Sequence, residues 1–246
     1  TDRGAGEKLT IHTASDEQGE AKYIADTILE NVRNGAKFSD HAILYRMNAQ
    51  SSSVENVFAR SGITYRVIGG HRFFDRKEIR DVMAYLQLIN NNCDDIRLKR
   101  IINEPKRGIG KTSLDKVEEI SNNTGVSMYE IIEYADQYGL NRVFLNSREF
   151  VNCIEELRAK KDEMQISELI KETLKKSGYT KALENENTIE AENRIENLDE
   201  FLTVAIEFEE ESADNKLSDF LEGITLSSDI DNMEETEDTV TLMTLH

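Results

Sequence analysis

Apolar positions recur along this chain in two rhythms, and the change comes near residue 70. Lys8-Leu9-Thr10-Ile11-His12-Thr13-Ala14 alternates like a strand. From Asp16 to about Arg33, Ala21, Ile24, Ala25, Ile28, Leu29 and Val32 follow helical spacing, and Asn34-Gly35 supplies a stop. Ala42-Ile43-Leu44-Tyr45 is a short apolar run of the buried-strand type. Ser53 to Arg60 carries Val54, Val57 and Phe58 on one helical face, and Thr64 to Ile68 is β-branched and aromatic, stopped by Gly69-Gly70. Strand, helix, strand, helix, strand predicts a parallel α/β sheet. Three strands are too few for a closed domain.

From Arg76 to about Ser227 the pattern predicts helices almost without interruption. Ile79, Val82, Met83, Leu86 and Ile89 form one stripe, and Ile96, Leu98, Ile101 and Ile102 begin another. The longest runs from Ile189 through Phe208, with Ile195, Leu198, Leu202, Ala205 and Ile206 inward. Such stripes are core positions and suggest no ligand role. Ser227 to Asp238 is acidic and aperiodic and reads as an exposed linker. Thr239 to Leu245 is again a strand, placed to return to the first sheet. The expected division is therefore 1–68, a helical insertion over 69–238, and a returning strand over 239–246.

Charge sharpens this division. The formal net charge is −18, yet residues 1–112 hold 18 Lys+Arg and 15 Asp+Glu, a surplus of +3, so the acidity lies in the second half. The densest basic cluster is Lys99, Arg100, Lys106, Arg107 and Lys111, opposed by Glu104. Such a cluster is the footprint of nucleic-acid binding and also the composition of an ordinary solvated helix face. No apolar run is long enough to span a bilayer, which excludes a membrane protein and points to a cytoplasmic one. Cys93 and Cys153 lie in no metal-ligand spacing, and His12, His41 and His71 are isolated, so neither a zinc site nor a His-based triad is indicated.

Gly108-Ile109-Gly110-Lys111-Thr112 ends like a phosphate-binding P-loop. That motif needs a glycine where this chain has Pro105, and a preceding strand where Ile96 to Asn103 reads as a helix. A helix-hairpin-helix fits better. Ile96–Asn103 is its first helix, Pro105 and the following residues turn the chain, and a second helix begins near Thr112 with Ser/Thr-x-x-acid capping spacing. Glycines on either side of Ile109 let backbone N–H groups approach a phosphate at the positive end of that helix. Ile109 plugs the core between the helices.

Several strings together resemble one family. Ala42-Ile43-Leu44-Tyr45-Arg46-Met47-Asn48-Ala49-Gln50-Ser51 is similar to the ILYRxNAQS segment of the UvrD/Rep/PcrA superfamily 1A DNA helicases. Gly69 to Asp81 resembles their GGxxFFxRxEIxD, Asn103 to Gly110 their NxPxRGIG, and Arg194 to Glu200 their RxENLxE. Val240 to His246 resembles the first half of helicase motif V. One departure is Ser52, where the family often has arginine.

The resemblance implies an α/β plus α fold, an incomplete RecA-like domain, 2A, with an inserted helical domain, 2B. It implies a fragment of an ATP-dependent 3′–5′ DNA helicase of repair and replication. The Walker motifs would lie before Thr1 and the remaining arginine-bearing motif after His246, so ATP and Mg2+ would serve the parent enzyme and not this piece alone. Tyr45, Arg46, Asn48, Thr244 and His246 fall where the family touches single-stranded DNA, with Tyr45 stacking on a base and Arg46 reaching a phosphate. Lys106, Arg107, Gly108, Ile109, Gly110, Lys111 and Thr112 match the duplex-binding hairpin. Gly69 and Gly70 match the hinge between 2A and 2B. Implied partners are DNA at a single/double-strand junction, the 1A and 1B domains, and repair proteins or RNA polymerase. The alternative is a regulatory module that docks partners through the acidic 2B surface.

Overall fold

In the computed structural model, which describes residues 8–46, 50–68, 73–211, 216–231 and 238–244, Asp16 opens the first helix by accepting the Gly19 N–H at 2.7 Å. That helix, α1 (Glu17–Arg33), buries Ala21, Ala25 and Ile28. Strand β1 (Ala42–Tyr45), helix α2 (Ser51–Ser61) and strand β2 (Tyr65–Ile68) follow. Then come α3 (Lys77–Asn90), α4 (Asp95–Ile101), α5 (Lys111–Thr124), α6 (Met128–Glu133) and α7 (Asn141–Lys160). The helices α8 (Ile166–Lys176), α9 (Tyr179–Glu186), α10 (Ile189–Glu211) and α11 (Leu217–Asp231) complete the run, and β3 (Val240–Thr244) ends it.

The chain divides into two units, residues 1–70 with 230–246, and residues 71–229. In the first, three strands form one parallel sheet in the order β1-β3-β2, with Ala42 opposite Thr241 and Tyr65 opposite Val240. One face of the sheet buries Tyr45, Tyr65, Val240 and Leu242 with Ala25 and Ile28 of α1 and Phe58 of α2. On the other face Leu44 and Ile68, in register with Met243 between them, are exposed. This is a small unclosed parallel sheet accompanied by an extensive helical region, the α/β plus α class that the apolar pattern implies.

The second unit is organised around α3, against which α4, α7, α8 and α10 pack. Residues on every side of α3 are buried, as expected of a helix at the centre of a bundle. Two of those buried residues are carboxylates. Asp81 lies 2.8 Å from Arg100 Nε, 3.1 Å from Lys77 Nζ, and accepts the Tyr179 hydroxyl at 2.8 Å. Glu78 accepts from Asn197, whose Oδ1 in turn accepts from Arg76 at 2.7 Å. A charge in such surroundings is tolerated only when paired, so these bonds fix how α4, α9 and α10 meet α3. The polar letters of the strings around Arg76–Asp81 and Asn197 therefore encode internal scaffolding.

Four sequence-based expectations about element bounds and helix faces differ from the structure. Residues 8–14 form no strand, and Leu9 and Ile11 are 98% and 93% exposed. Alternation alone makes no strand without a neighbouring ladder, and among the described residues β1 and β2 each pair with β3. The segment from Ser227 does not begin as a linker, because α11 continues to Asp231; extending a formed helix gains one hydrogen bond per residue fixed. Ile96 and Ile206 are exposed; on α10, Phe201 and Val204 are buried instead. Finally, α5 starts at Lys111 with Gly110 as its cap and no side-chain cap bond, so Thr112 lies inside the first turn and does not cap it.

Candidate nucleic-acid interface

The turn from α4 to α5 is shaped by one asparagine and one arginine. Asn103 Oδ1 accepts the backbone N–H groups of Arg107 at 2.7 Å and Ile109 at 3.3 Å, folding the loop back on itself. Gly108 adopts φ +70°, a left-handed conformation that residues with a Cβ rarely occupy, and its carbonyl accepts from Asn146 Nδ2 of α7 at 3.3 Å. Ile109, 2% exposed, inserts between the helices, a burial that contributes roughly 1.5–3 kcal/mol. Gly110 is extended, and a Cβ placed on it meets nothing within 4 Å, so its backbone faces open space. Ser113 and Leu114 donate their N–H groups to Gly110 O at 3.0 and 3.2 Å, and the start of α5 has no side-chain cap from Gly110.

Arg107 belongs to the inside of this turn. Its Nη1 donates to the carbonyls of Ile101, Ile102 and Pro105 at 3.1–3.2 Å, and its Nη2 donates to the Tyr85 hydroxyl at 2.8 Å and the Ser177 carbonyl at 3.1 Å. The guanidinium also lies 5.1 Å from the centre of the Phe150 ring. Burial pushes the Tyr85 phenol up to about 12, so it stays protonated and passes its own hydrogen bond to Glu104 O at 2.6 Å. With its donors turned inward, Arg107 closes the end of α4 and holds the loop; the expected phosphate contact is corrected to an internal one.

The rest of the basic cluster is likewise reduced. Lys99 pairs with Glu118 at 2.6 Å, and Arg100 is drawn to Asp81 and to the Lys77 carbonyl. Lys106 and Lys111 remain exposed beside the glycines, with no ion pair among the described residues, and Thr112 is exposed next to them. Gly108, Gly110, Lys106, Lys111 and Thr112 are thus brought together on one turn. Sequence reasoning missed Asn103, Tyr85, Ser177 and Asn146. Asn103 stood beside the turn and carried a local signal, whereas Asn146 and Ser177 meet it only through the fold.

In the sheet unit, β1 and β3 end side by side, with Tyr45 opposite Thr244. Ligands of open parallel sheets bind at these carboxyl ends. Arg46 is exposed there, and its N–H donates to Gln50 Oε1 at 3.1 Å. Tyr45 is 8% exposed and packs among Phe58, Tyr65 and Leu242, so its ring is a core element and is not placed to stack on a base. Thr244 is half-buried. Asn48, His246, Gly69 and Gly70 lie outside the described residues.

Gly110-Lys111-Thr112 opens a helix that follows another helix and a turn, not a strand. These residues do not form a P-loop and do not fit a nucleotide triphosphate. Among the described residues no helix is long and apolar enough to cross a membrane.

The whole chain, residues 1–246, matches the family model described as the UvrD-like helicase C-terminal domain. It is 42% identical over 244 residues to the ATP-dependent DNA helicase PcrA of Staphylococcus aureus, covering 98% of this chain and 33% of that protein. It is 41% identical over 249 residues to the ATP-dependent DNA helicase PcrA of Staphylococcus epidermidis, covering 100% of this chain and 34% of that one. The chain thus spans about a third of the length of the curated relatives it matches.

Proposed function

Because the chain belongs to the UvrD-like helicase family, we propose that it is the DNA-holding portion of an ATP-dependent helicase that moves 3′ to 5′ along one strand in repair and replication. The sheet unit is the 2A domain and the helical unit the 2B domain, hinged at Gly69 and Gly70. ATP and Mg2+ bind outside this chain, at the 1A side of the parent enzyme. The helical unit grips duplex DNA at the turn formed by Lys106, Gly108, Gly110, Lys111 and Thr112. The sheet unit follows the single strand through Arg46 and Thr244, joined by Asn48 and His246. The protein works in the cytoplasm.

The observation that carries this reading is the uncapped start of α5. The positive end of that helix lies next to the exposed Lys111, with Lys106 earlier in the same turn and no side chain on Gly110 to keep a phosphate away. A helix start of this kind favours an anion, and the exposed lysine charges beside it suit a phosphate. Arg46 at the carboxyl end of β1 plays the corresponding role for a single strand.

Binding of the 246-residue chain to a blunt duplex and to a single strand, each titrated with salt, tests it. Lys106→Ala and Lys111→Ala each remove ~0.9 from the slope of log affinity against log salt for the duplex. Arg46→Ala weakens the single strand alone. If these changes leave both affinities untouched, the acidic-surface reading replaces this one.

A further inference from the structure

The turn between α3 and α4 and the helix α11 frame an open cleft of about 330 Å³, small for a ligand pocket and sufficient for one side chain. Gln87, Asn90 and Asn91, from the last turn and cap of α3, line it together with Asp94. From α11 come Glu222, which is exposed, and Leu221, which is buried and supplies apolar surface.

Three observations give this cleft one electrical sign. The final carbonyls of α3 have no intrahelical donor and form the negative end of that helix. Lys161, which follows α7, already answers that end, since its Nζ donates to Asn90 O at 3.3 Å and to Asn90 Oδ1 at 3.1 Å. Two carboxylates then stand at the cleft with little to offset them. Asp94 Oδ1 caps α4 by accepting the Arg97 N–H at 3.0 Å, and its Oδ2 lies 4.0 Å from Arg97 Nε, the limit of an ion pair. Glu222 has no ion pair among the described residues, and α11 contains no Lys or Arg.

We infer that this cleft is a receptor for one arginine side chain carried on an exposed segment of a partner protein. The aliphatic stem lies on Leu221, while the guanidinium meets Asp94, Glu222 and the amide oxygens at the end of α3. A planar fork of five donors suits several acceptors spread around one small space better than a point charge does. A phosphate is repelled by the same carboxylates, so the site does not depend on the DNA reading.

The test uses the 246-residue chain and two short peptides. One is acetyl-glycyl-seryl-arginyl-seryl-glycine amide; the other carries citrulline, the uncharged isostere, in place of arginine. Proton–nitrogen NMR follows the side-chain amides of Gln87, Asn90 and Asn91. The arginine peptide shifts these signals saturably, and the citrulline peptide binds severalfold more weakly. Glu222→Gln and Asp94→Asn, the latter keeping a good cap for α4, each weaken the arginine peptide severalfold. Asp199→Asn removes one charge from the exposed face of α10 and leaves the affinity unchanged. Circular dichroism of all three variants matches the parent. If the citrulline peptide binds equally well, or Asp199→Asn costs as much as Glu222→Gln, the peptide senses only general acidity and the inference falls. Absence of any shift at the three amides overturns it as well.

Discussion

Arg107 donates to the hydroxyl of Tyr85 at 2.8 Å, and that bond ties the central helix of the bundle to the turn that displays the exposed lysines. Because the Tyr85 hydroxyl in turn donates a hydrogen bond to Glu104 O, one arginine and one tyrosine tie both sides of the turn. The most basic residue of the motif is therefore turned into the fold and shapes the turn. Lys106 and Lys111 carry its exposed charge.

Arg107→Lys separates these roles. Lysine keeps the charge but lacks the planar fork that reaches five acceptors at once. The expected cost is on the order of 3 kcal/mol, from several charge-assisted bonds lost together, read as a lower urea midpoint by circular dichroism. Residual duplex binding should keep the parent salt slope. A slope reduced by ~0.9 with unchanged stability would return Arg107 to a phosphate.

The two glycines of the turn should respond differently. Gly108→Ala forces a Cβ into a left-handed position and to 3.1 Å from Asn146 Nδ2, at a cost of about 1–2 kcal/mol. Gly110→Val meets no atom within 4 Å and has an ordinary extended backbone, so stability changes by less than ~1 kcal/mol. Its side chain stands where a phosphate would approach, and duplex affinity falls while the urea midpoint holds. Unchanged affinity in Gly110→Val would show that the backbone of the turn does not meet DNA.

These differences mark how far the sequence was legible. The helix–turn–helix and the buried Ile109 were readable, since a glycine pair and helical periodicity are local signals. The inward turn of Arg107 was not, because its acceptors Tyr85 and Ser177 are 22 and 70 residues away. Tyr45 was misplaced for a related reason. At the end of a strand a one-residue change of parity exchanges core for surface, and only the packing of Phe58 and Tyr65 decides which. Leu9 and Ile11 show the converse, a strand-like alternation with no ladder to join.

Acid titration should single out Glu156. Hydrogen bonds from Lys176 and Lys160, with their positive charges, lower its carboxyl to about 2. A depressed carboxylate contributes stability above its unfolded value near 4.5 that is lost as pH falls toward 2. Carboxyl carbon NMR should find Glu156 titrating well below the other glutamates, and Lys176→Met should raise its midpoint. An ordinary midpoint in the parent would mean that the pair does not persist in solution.

The two cysteines offer a check on the helical core. Cys93 is exposed, whereas burial pushes the Cys153 thiol up to about 11. Iodoacetamide at neutral pH should label Cys93 readily and leave Cys153 unmodified until denaturant is added, as peptide mass mapping would show. Equal labelling in the native chain would place Cys153 at a surface.

The order of the sheet has a consequence for the birth of the protein. Among the described strands the middle one, β3, is made after the other two, and Arg66 waits for Thr241, 175 residues later. At roughly 5–20 residues per second the interval is on the order of ten to thirty seconds. Residues 71–229 are contiguous and leave the ribosome complete before β3 does, so the inserted bundle can mature first. Throughout that wait β1 and β2 lack the strand that joins them, and the backbone groups that β3 will pair are left open. The nascent sheet is then at its most prone to pair with a neighbouring chain, and slowing synthesis should raise its demand for chaperones.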